Sequence, residues 1–416
     1  MTEATSAPPS GDLPQVPDFP MPRGCPLDPA PMYTRLRTER PVTQVALPSG
    51  QKAWLVTSYT HVRALVTDPR ISSDHHHPNL PLLVPLGPAE GGSQGGESHG
   101  MGNTLVGLDP PEHSAPRRMV ISEFTVRRVQ ELRPRITEIV ESCIDDLIAA
   151  GPGADLVAMV AVRVPSMVLS ELLGVHPPER EFFHTRTSAM LSRASTPEER
   201  RTAMVELATF IDGLIREKEQ EPTDDVLGRL IVNNRETGVF THMGLLQMAY
   251  LLLVAGNETT ANMIALGTTG LLENPAVVAE LIADPSRIGR TVEELLRYFT
   301  ISDVLLRTAR EDIEIDGVTI RKDDGVLLGL GSANRDERVF DSPDRLDIHR
   351  GARHHMAFGY GIHQCLGQNL ARAELEIVFT TLFARLPGLR LAVPVSELPF
   401  KQDSNTYGLH ELPVTW

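Results

Sequence analysis

Apolar residues recur every three to four positions through most of the chain between about residues 111 and 300. The run FTVRRVQELRPRITEIVESCIDDLIAA shows this spacing clearly, and the spacing is typical of amphipathic helices. Asn274-Pro275 predicts the start of another helix, because proline is favoured at a first helical position. A further helix is predicted over LARAELEIVFTTLFARL, directly after the glycine- and histidine-rich segment 351–367.

Two stretches show the patterns expected of strands. Residues 42–59, VTQVALPSGQKAWLVTSY, place two β-prone runs around a Pro-Ser-Gly turn, which predicts a hairpin. The run IEIDGVTI alternates apolar and polar residues around Asp-Gly and predicts a second hairpin. Since neither a repeat nor a domain-sized linker interrupts the pattern, the sequence predicts a mainly α fold with small β-sheets. Residues 25–416 then form one domain, after an extended arm over residues 1–24 without regular structure.

A segment rich in proline, glycine and serine, PLLVPLGPAEGGSQGGESHGMG, covers residues 81–102. This composition predicts a mobile loop over about residues 75–102, which also contains the run His75-His76-His77. Long loops inside a compact domain are often lids or binding loops. A solvated loop without a role in binding is the alternative.

Charge and cysteine content limit the classes of function. The formal net charge of the 416-residue chain is -15, which argues against nucleic acid and against an anionic membrane as partners. Its most apolar stretch, residues 245–256, is shorter than the ~20 residues that a transmembrane helix needs. Only Cys25, Cys143 and Cys365 are present, an odd and widely spaced set that does not form a disulfide framework. We therefore expect a cytoplasmic, soluble protein.

Cys365 lies in unusual surroundings, whereas Cys25 and Cys143 are expected to be small buried apolar residues. Three glycines precede or follow it closely, and they allow the backbone to turn tightly and to approach a flat ligand. The helix predicted after it should lower the pKa of its thiol, because helix N-termini favour anions. A thiolate on haem iron favours O–O cleavage.

The segment resembles the haem-binding signature of the cytochrome P450 superfamily, FGxGxHxCxG. The matching residues are Phe358, Gly359, Gly361, His363, Cys365 and Gly367. This resemblance implies the single-domain P450 fold, with haem b between a long distal helix and a proximal loop that supplies Cys365 as the iron ligand. The same resemblance implies that Phe358, Gly359 and Gly367 contact the cofactor.

A zinc site is the alternative for this segment. Its ligands would be His354, His355, His363 and Cys365. However, His363 and Cys365 are separated by a single residue, whereas zinc-binding pairs usually enclose about two to four. The spacing therefore disfavours zinc.

Glu294 and Arg297 resemble the ExxR pair of the family, which is a buried structural network. At a spacing of three residues on a helix the two side chains can pair. Alone, the motif is weak, because most such pairs are exposed to solvent. The segment Phe340-Asp-Ser-Pro-Asp-Arg345 resembles the meander that supplies a third member, and Arg345 is the expected residue.

The run Ala255-Gly256-Asn257-Glu258-Thr259 lies within a long apolar helix, where a glycine costs ~1 kcal/mol relative to alanine. Helix packing, with glycine admitting a neighbour and threonine bonding back to the helix, is one interpretation. The run also resembles the oxygen-binding motif of the family. That resemblance implies Glu258 and Thr259 as a catalytic acid–alcohol pair, and Ala255 and Gly256 as cofactor contacts.

Four further residues match family positions that bind the haem propionates. They are His113, Arg117, Arg307 and His355, and they occur in the family's order along the chain. Arginine suits this role because it forms paired hydrogen bonds with carboxylates. The resemblance covers nearly the whole chain, from about residue 20 to the C-terminus.

The resemblance implies a monooxygenase that uses O2 to hydroxylate an apolar small molecule, such as a polyketide, a macrolide or another secondary metabolite. Electrons would come from a ferredoxin and its NAD(P)H-dependent reductase, and we expect Arg117, Arg118, Arg353 and Arg372 to contribute to the ferredoxin-binding surface. An H2O2-dependent peroxygenase is the alternative within the fold, although Glu258-Thr259 replaces the Arg-Pro arrangement of such enzymes. A non-enzymatic haem-binding protein and a zinc or cysteine-nucleophile enzyme are alternatives of other classes.

Overall fold

The computed structural model describes residues 15–83, 104–191, 195–401 and 406–416. Helices dominate it, as the hydrophobic pattern predicts. They are α1 (Met32–Glu39), α2 (Tyr59–Leu65), α3 (Ser114–Ile121), α4 (Val126–Ala150), α5 (Arg163–Leu172), α6 (Arg180–Leu191), α7 (Pro197–Gln220), α8 (Val226–Thr237), α9 (His242–Leu272), α10 (Pro275–Ala283), α11 (Ile288–Phe299), α12 (Leu330–Ala333) and α13 (Gln368–Arg385).

Three small sheets accompany the helices in the described residues. The strands are β1 (Val42–Ala46), β2 (Lys52–Val56), β3 (Ile71–Ser72), β4 (Val304–Ala309), β5 (Ile313–Ile315), β6 (Val318–Ile320), β7 (Gly325–Gly329), β8 (Arg390–Leu391) and β9 (Val414–Thr415). The largest sheet has the order β1-β2-β7-β4-β3, and the other two are the pairs β5-β6 and β8-β9. The main sheet is mixed, because β2 and β7 run parallel while its other pairs are antiparallel.

Both predicted hairpins are confirmed. Strands β1 and β2 pair antiparallel, with Val42 opposite Val56. Strands β5 and β6 pair across the Asp-Gly turn, where Asp316 and Gly317 have φ values of 51° and 74°. Positive φ at both central residues is the geometry that favours Asp-Gly in tight hairpins. The helix predicted at Asn274-Pro275 is also confirmed, since α10 begins at Pro275.

The largest hydrophobic cluster joins the helices α4, α9, α11 and α13. Ile144, Leu266, Val292 and Val378, one from each helix, are each 0% exposed. Helix α9 is buried on all sides between residues 260 and 271, as expected of a helix in the centre of a large domain. This central helix carries the run Ala255–Thr259, and α13 follows directly after the loop that contains Cys365.

The N-terminal arm is only partly described, and the part that is described packs against the main sheet. The backbone N–H of Phe19 donates to the carbonyl of Ala46 in β1 at 2.8 Å, and the Phe19 ring is 3% exposed. Residues 15–24 therefore form no helix or strand but are held by the sheet, while residues 1–14 lie outside the described residues.

The predicted loop at about residues 75–102 is described only up to residue 83, and residues 84–103 lie outside the described ranges. Its first part contacts the turn before β7. The imidazole of His77 lies 3.2 Å from a carboxylate oxygen of Asp323, and the Asn79 amide donates to the Asp323 carbonyl at 3.0 Å. The mobility predicted for the rest of the loop stays a prediction. Across the described ranges, no helix combines the length and the apolar character that a membrane span requires.

Candidate functional site

The loop before α13 folds back on itself and presents Cys365 at its end. The Cys365 backbone N–H donates to the Phe358 carbonyl at 2.8 Å, which closes the loop. Gly359 and Gly361 have φ values of 67° and 75°, a region that favours glycine. At Gly361 a side chain would also meet Thr67, whose Cγ2 would lie 3.1 Å from an added Cβ. The glycine spacing therefore allows this turn, as the sequence predicts.

The predicted direction of the Cys365 pKa is wrong in this structure. Burial raises the pKa of the thiol, and the opposing effects of the Gly367 N–H, Arg117 and Arg372 do not outweigh it. Helix α13 begins only at Gln368, and the influence of a helix dipole falls off beyond its first turn. The protein alone therefore keeps this half-buried thiol protonated.

Two histidines beside the loop have ring nitrogens without a hydrogen-bond partner among the described residues. His113, at the start of α3, and His363 lie with their ring centroids 4.3 Å apart, and the Nε2 atom of each is buried and unpartnered. Burial, together with Arg307 and His113, lowers the pKa of His363 to about 3. Both rings are therefore neutral near pH 7, and they can donate hydrogen bonds to an anion.

Two arginines add positive charge to the same place. The Nη2 of Arg117 donates to the Gln364 carbonyl at 2.5 Å, next to Cys365. Arg307 is 8% exposed, and its Nη1 donates a hydrogen bond to the carbonyl of Leu306 at 2.7 Å. Burial lowers the pKa of Arg307 to about 10, although Asp109 acts in the opposite direction.

The carboxylate of Asp109, which acts on the pKa of Arg307, already has other hydrogen-bond partners. The Asp109 carboxylate accepts hydrogen bonds from the Ser72 hydroxyl, the Ser73 N–H and Arg310. We call His113, Arg117, Arg307 and His363 the donor group. Its arginines donate to the backbone carbonyls of Gln364 and Leu306, and the Nε2 atoms of its histidines have no partner among the described residues. Buried donors normally find partners, so the donor group fits a ligand that carries carboxylates.

The sequence predicted that His355 would lie with His113, Arg117 and Arg307. The structure places it elsewhere. The Nδ1 of His355 accepts a hydrogen bond from the Ala357 N–H at 3.1 Å, and Nε2 lies 3.2 Å from a carboxylate oxygen of Glu293. His355 therefore faces α11, where Glu293 holds it, and His363 occupies the place expected for it. The signature contains His363, but the pattern alone does not show which histidine turns toward the arginines.

The run Ala255–Thr259 lies in α9, on a face that is only partly buried. Ala255 is exposed and Glu258 and Thr259 are partly buried, whereas residues 260–271 are almost all buried. The Thr259 hydroxyl donates to the Ala255 carbonyl at 2.8 Å, and Gly256 packs closely against Leu169 of α5. Helix packing therefore accounts for the contacts of Gly256 and Thr259, whereas Ala255 is exposed.

Glu258 has a partner that the sequence did not indicate. Its carboxylate lies 3.4 Å from the ammonium group of Lys401, and the Lys401 side chain is only 14% exposed. Beside it, the amide group of Asn257 is fully buried and has no hydrogen-bond partner among the described residues. The catalytic acid proposed from the sequence is thus held by a cation from the C-terminal part of the chain.

The ExxR pair is buried, as the resemblance implies, but its third member differs from the prediction. Arg297 donates to both carboxylate oxygens of Glu294 at 2.8 and 2.7 Å, and also to the carbonyls of Asn334 and Pro343. The guanidinium that reaches Glu294 from the meander belongs to Arg350, at 3.2 Å.

The assignment of Arg345 as third member is therefore corrected. Its side chain is 74% exposed and pairs with Asp347, whereas the Arg350 side chain is 8% exposed. Arg345 contributes its carbonyl instead, which accepts a hydrogen bond from Arg350 at 3.0 Å. Both arginines lie in the same segment, and only the backbone path decides which of them turns inward.

The histidines considered for zinc are not assembled with Cys365. His354 stacks on Phe340 with ring centroids 4.6 Å apart, His355 faces Glu293, and His363 contacts His113. Among the described residues, no three side chains of histidine, cysteine, aspartate or glutamate are arranged to hold a metal ion together.

The fold and this site together define a class: a mainly helical protein whose glycine-rich loop presents one cysteine beside donors for carboxylates. A family model for cytochrome P450 matches residues 186–387. Cytochrome P450 105A3 of Streptomyces carbophilus is 47% identical over 97% of this chain and 96% of its own length.

Solved structures agree with the sequence relatives. Cytochrome P450 MoxA of Nonomuraea recticatena is 49% identical, with a TM-score of 0.89 over 96% of this chain and 98% of that chain. Mycinamicin VIII C21 methyl hydroxylase of Micromonospora griseorubida, bound to mycinamicin VIII, is 40% identical, with a TM-score of 0.86 over 96% and 100% of the two chains. The chain belongs to the cytochrome P450 family. It is a haem-thiolate monooxygenase, an oxidoreductase that acts on a small molecule with O2.

Proposed function

We propose that this P450 hydroxylates a secondary metabolite of the macrolide or polyketide class, with haem b as its cofactor and a ferredoxin as its electron donor. The donor group next to Cys365 is the observation that carries the cofactor assignment, because its two arginines and two imidazoles, all buried or partly buried, suit the two carboxylates of haem b. The substrate class rests on the mycinamicin hydroxylase, which shares 40% of its residues with this chain.

In this proposal Cys365 is the iron ligand, and a metal ion at its sulfur would deprotonate the thiol despite burial. Haem supplies the oxygen chemistry when it is bound, and the protein supplies orientation, proton delivery and control of water. His113, Arg117, Arg307 and His363 hold the cofactor's carboxylates. Phe358, Gly359 and Gly367 lie along the proximal loop, and Ala255 and Gly256 belong to the facing helix.

Glu258 and Thr259 deliver protons on the distal side. A carboxylate and a hydroxyl in consecutive positions can pass a proton along ordered water, which is general acid catalysis by positioned groups. Lys401 holds the Glu258 carboxylate 3.4 Å away, so proton transfer requires this contact to loosen. The Thr259 hydroxyl keeps a fixed orientation through its bond to the Ala255 carbonyl.

The proposal is tested by the source of the oxygen atom. Macrolactones, including mycinamicin VIII, are first screened for a spin-state shift, and those that bind are incubated with 18O2, a bacterial ferredoxin, its reductase and NADPH. We expect one 18O atom in a hydroxylated product, and no product without ferredoxin. Equal turnover with H2O2 alone would favour the peroxygenase. If no macrolactone binds, the proposed substrate class is wrong.

Of the four arginines proposed for the ferredoxin surface, two already have partners and two are exposed. Arg117 is engaged by Gln364 and Arg372 by Glu293, whereas Arg118 and Arg353 are exposed. The last two residues can therefore meet an acidic partner without breaking a buried contact, despite the net charge of -15.

Reversing the charge of Arg118 should slow electron transfer. We expect Arg118→Glu to lower the second-order rate of reduction by ferredoxin ~10-fold at low ionic strength, since complementary charges steer association. The difference should shrink as salt screens the charges. Stopped-flow reduction over a series of salt concentrations measures this, and Arg201→Glu, an exposed reversal on α7, is the control. Equal rates for the Arg118 variant and wild type would refute the surface.

A further inference from the structure

Glu293 stands beside the ExxR glutamate but faces a different part of the protein. Consecutive residues on a helix point about 100° apart, so Glu294 turns toward the meander while Glu293 turns toward α13 and the cysteine loop. Glu293 is 7% exposed, and neither the sequence signature nor the proposed mechanism assigns it a role. A buried carboxylate at this position needs partners.

Its partners are a guanidinium and an imidazole, from either side of Cys365 in the sequence. Arg372 of α13 donates to Glu293 through Nε at 2.5 Å and Nη2 at 3.2 Å. On the other side, Nε2 of His355 lies 3.2 Å from the second carboxylate oxygen. Although burial would raise the pKa of Glu293, His355 and Arg372 lower it to about 2, so the side chain is ionised throughout the neutral range.

Both contacts lead directly to the cysteine loop. The Arg372 guanidinium lies over the Phe358 ring, with its carbon 4.6 Å from the ring centroid. The Phe358 carbonyl accepts the Cys365 N–H, and His355 accepts the Ala357 N–H one residue earlier. The carboxylate of Glu293 thus anchors residues 355–358, where the loop begins, by two routes.

Glu293 also balances charge near the sulfur. The Arg372 guanidinium lies over the Phe358 ring, and Phe358 is bonded through its carbonyl to the Cys365 N–H, so the positive charge lies close to the ligand position. The Glu293 carboxylate neutralises that charge at a distance of 2.5 Å. Removing the carboxylate would leave a positive charge close to the site, whereas removing both groups would restore the balance.

We propose that Glu293 is a positioning residue for the Cys365 loop, which it holds through Arg372 and His355 while it neutralises Arg372. The inference rests on the proposed role of Cys365 as the iron ligand. Glu293 touches neither cofactor nor substrate, and its effect is indirect. It should therefore appear in the spectrum and the reduction potential of the haem protein, and not only in turnover.

The experiment compares holoenzymes of wild type, Glu293→Gln, Glu293→Asp, Arg372→Gln and the Glu293→Gln/Arg372→Gln double variant. We expect Glu293→Gln to move part of the ferrous–CO absorption from the thiolate band to the band of a protonated or displaced cysteine. Its midpoint potential should become more positive, because an uncompensated cation favours the reduced state. Glu293→Asp should restore most of the thiolate band, and the double variant should return the potential toward that of wild type.

Glu376→Gln is the matched control. Glu376 lies in α13 and pairs with an arginine of a neighbouring helix, Arg133 of α4, at 2.9 Å. The Glu376 side chain is 25% exposed, against 10% for that of Glu293. The Glu376→Gln variant should leave the thiolate band and the midpoint potential unchanged. If Glu293→Gln loses stability but keeps both, Glu293 is merely structural and the inference is wrong. If the glutamine variant does not fold, Arg372→Gln breaks the same contact from the other side and should also move part of the absorption out of the thiolate band; an unchanged band there would equally overturn the inference. Absence of the thiolate band in wild type would instead refute the proposed ligand.

Discussion

Replacing Cys365 by serine will abolish the strongly red-shifted absorption band of the ferrous–CO protein and reduce monooxygenation to background. A serine hydroxyl donates less electron density to iron than a thiolate does, and that density favours O–O cleavage. The substitution is nearly isosteric, and the loop is closed by backbone bonding between Cys365 and Phe358. The variant should therefore fold and can still bind haem. A CO-difference spectrum of the dithionite-reduced protein measures the result.

The other two cysteines provide matched controls. Cys143 is 0% exposed in α4, where burial raises the pKa of its thiol to about 11, and Cys25 lies near the N-terminal arm. Cys143→Ser and Cys25→Ser should both keep the red-shifted band, even if the buried substitution costs some stability. Persistence of the band in Cys365→Ser, or its loss in either control, would refute the assignment of the ligand.

The parts of the site that lie close together in sequence could be predicted from it. The cysteine loop is set within ten residues, where glycines at 359 and 361 supply the positive φ values and Cys365 bonds to Phe358. Local spacing is enough in such a case, because the geometry and the contacts belong to the same short segment. The two hairpins were predictable for the same reason.

Side-chain direction in irregular segments could not be predicted in the same way. His355 and His363 both lie in the loop, and Arg345 and Arg350 both lie in the meander. In each pair one residue turns inward because a distant carboxylate or carbonyl receives it, and the other does not. Helical periodicity fixes which residues share a face, but these segments have no such period.

Contacts between distant segments were also missed. Lys401 reaches Glu258 from 143 residues away in sequence, and Arg372 reaches Glu293 from 79 residues away. No spacing rule links such residues, since only the packing of α9 and α11 against later parts of the chain brings them together. The residues with proposed catalytic roles were visible in motifs, whereas the residues that hold them in place were not.

Replacing Glu294 by glutamine should destabilise the fold more than any change at an exposed charge. Glu294 is 1% exposed and accepts hydrogen bonds from Arg297, from Arg350 and from the Asp347 N–H. The glutamine would leave two buried guanidinium groups without their counter-charge, and breaking a buried pair typically costs about 3 to 5 kcal/mol. Urea titration of the holoprotein should show this loss as a lower unfolding midpoint.

Glu131→Gln separates the effect of burial from that of the motif. Glu131 contacts Arg128 at the same spacing of three residues on a helix, but both side chains are well exposed, at 48% and 39%. Solvent-exposed pairs contribute little, so this variant should unfold at the same urea concentration as wild type. If both variants lowered the urea unfolding midpoint equally, the loss of the charge would explain the effect and burial would not. No shift for Glu294→Gln would mean that the carbonyls of Asn334, Pro343 and Arg345 are sufficient to hold Arg297, so that the pair does not stabilise the fold.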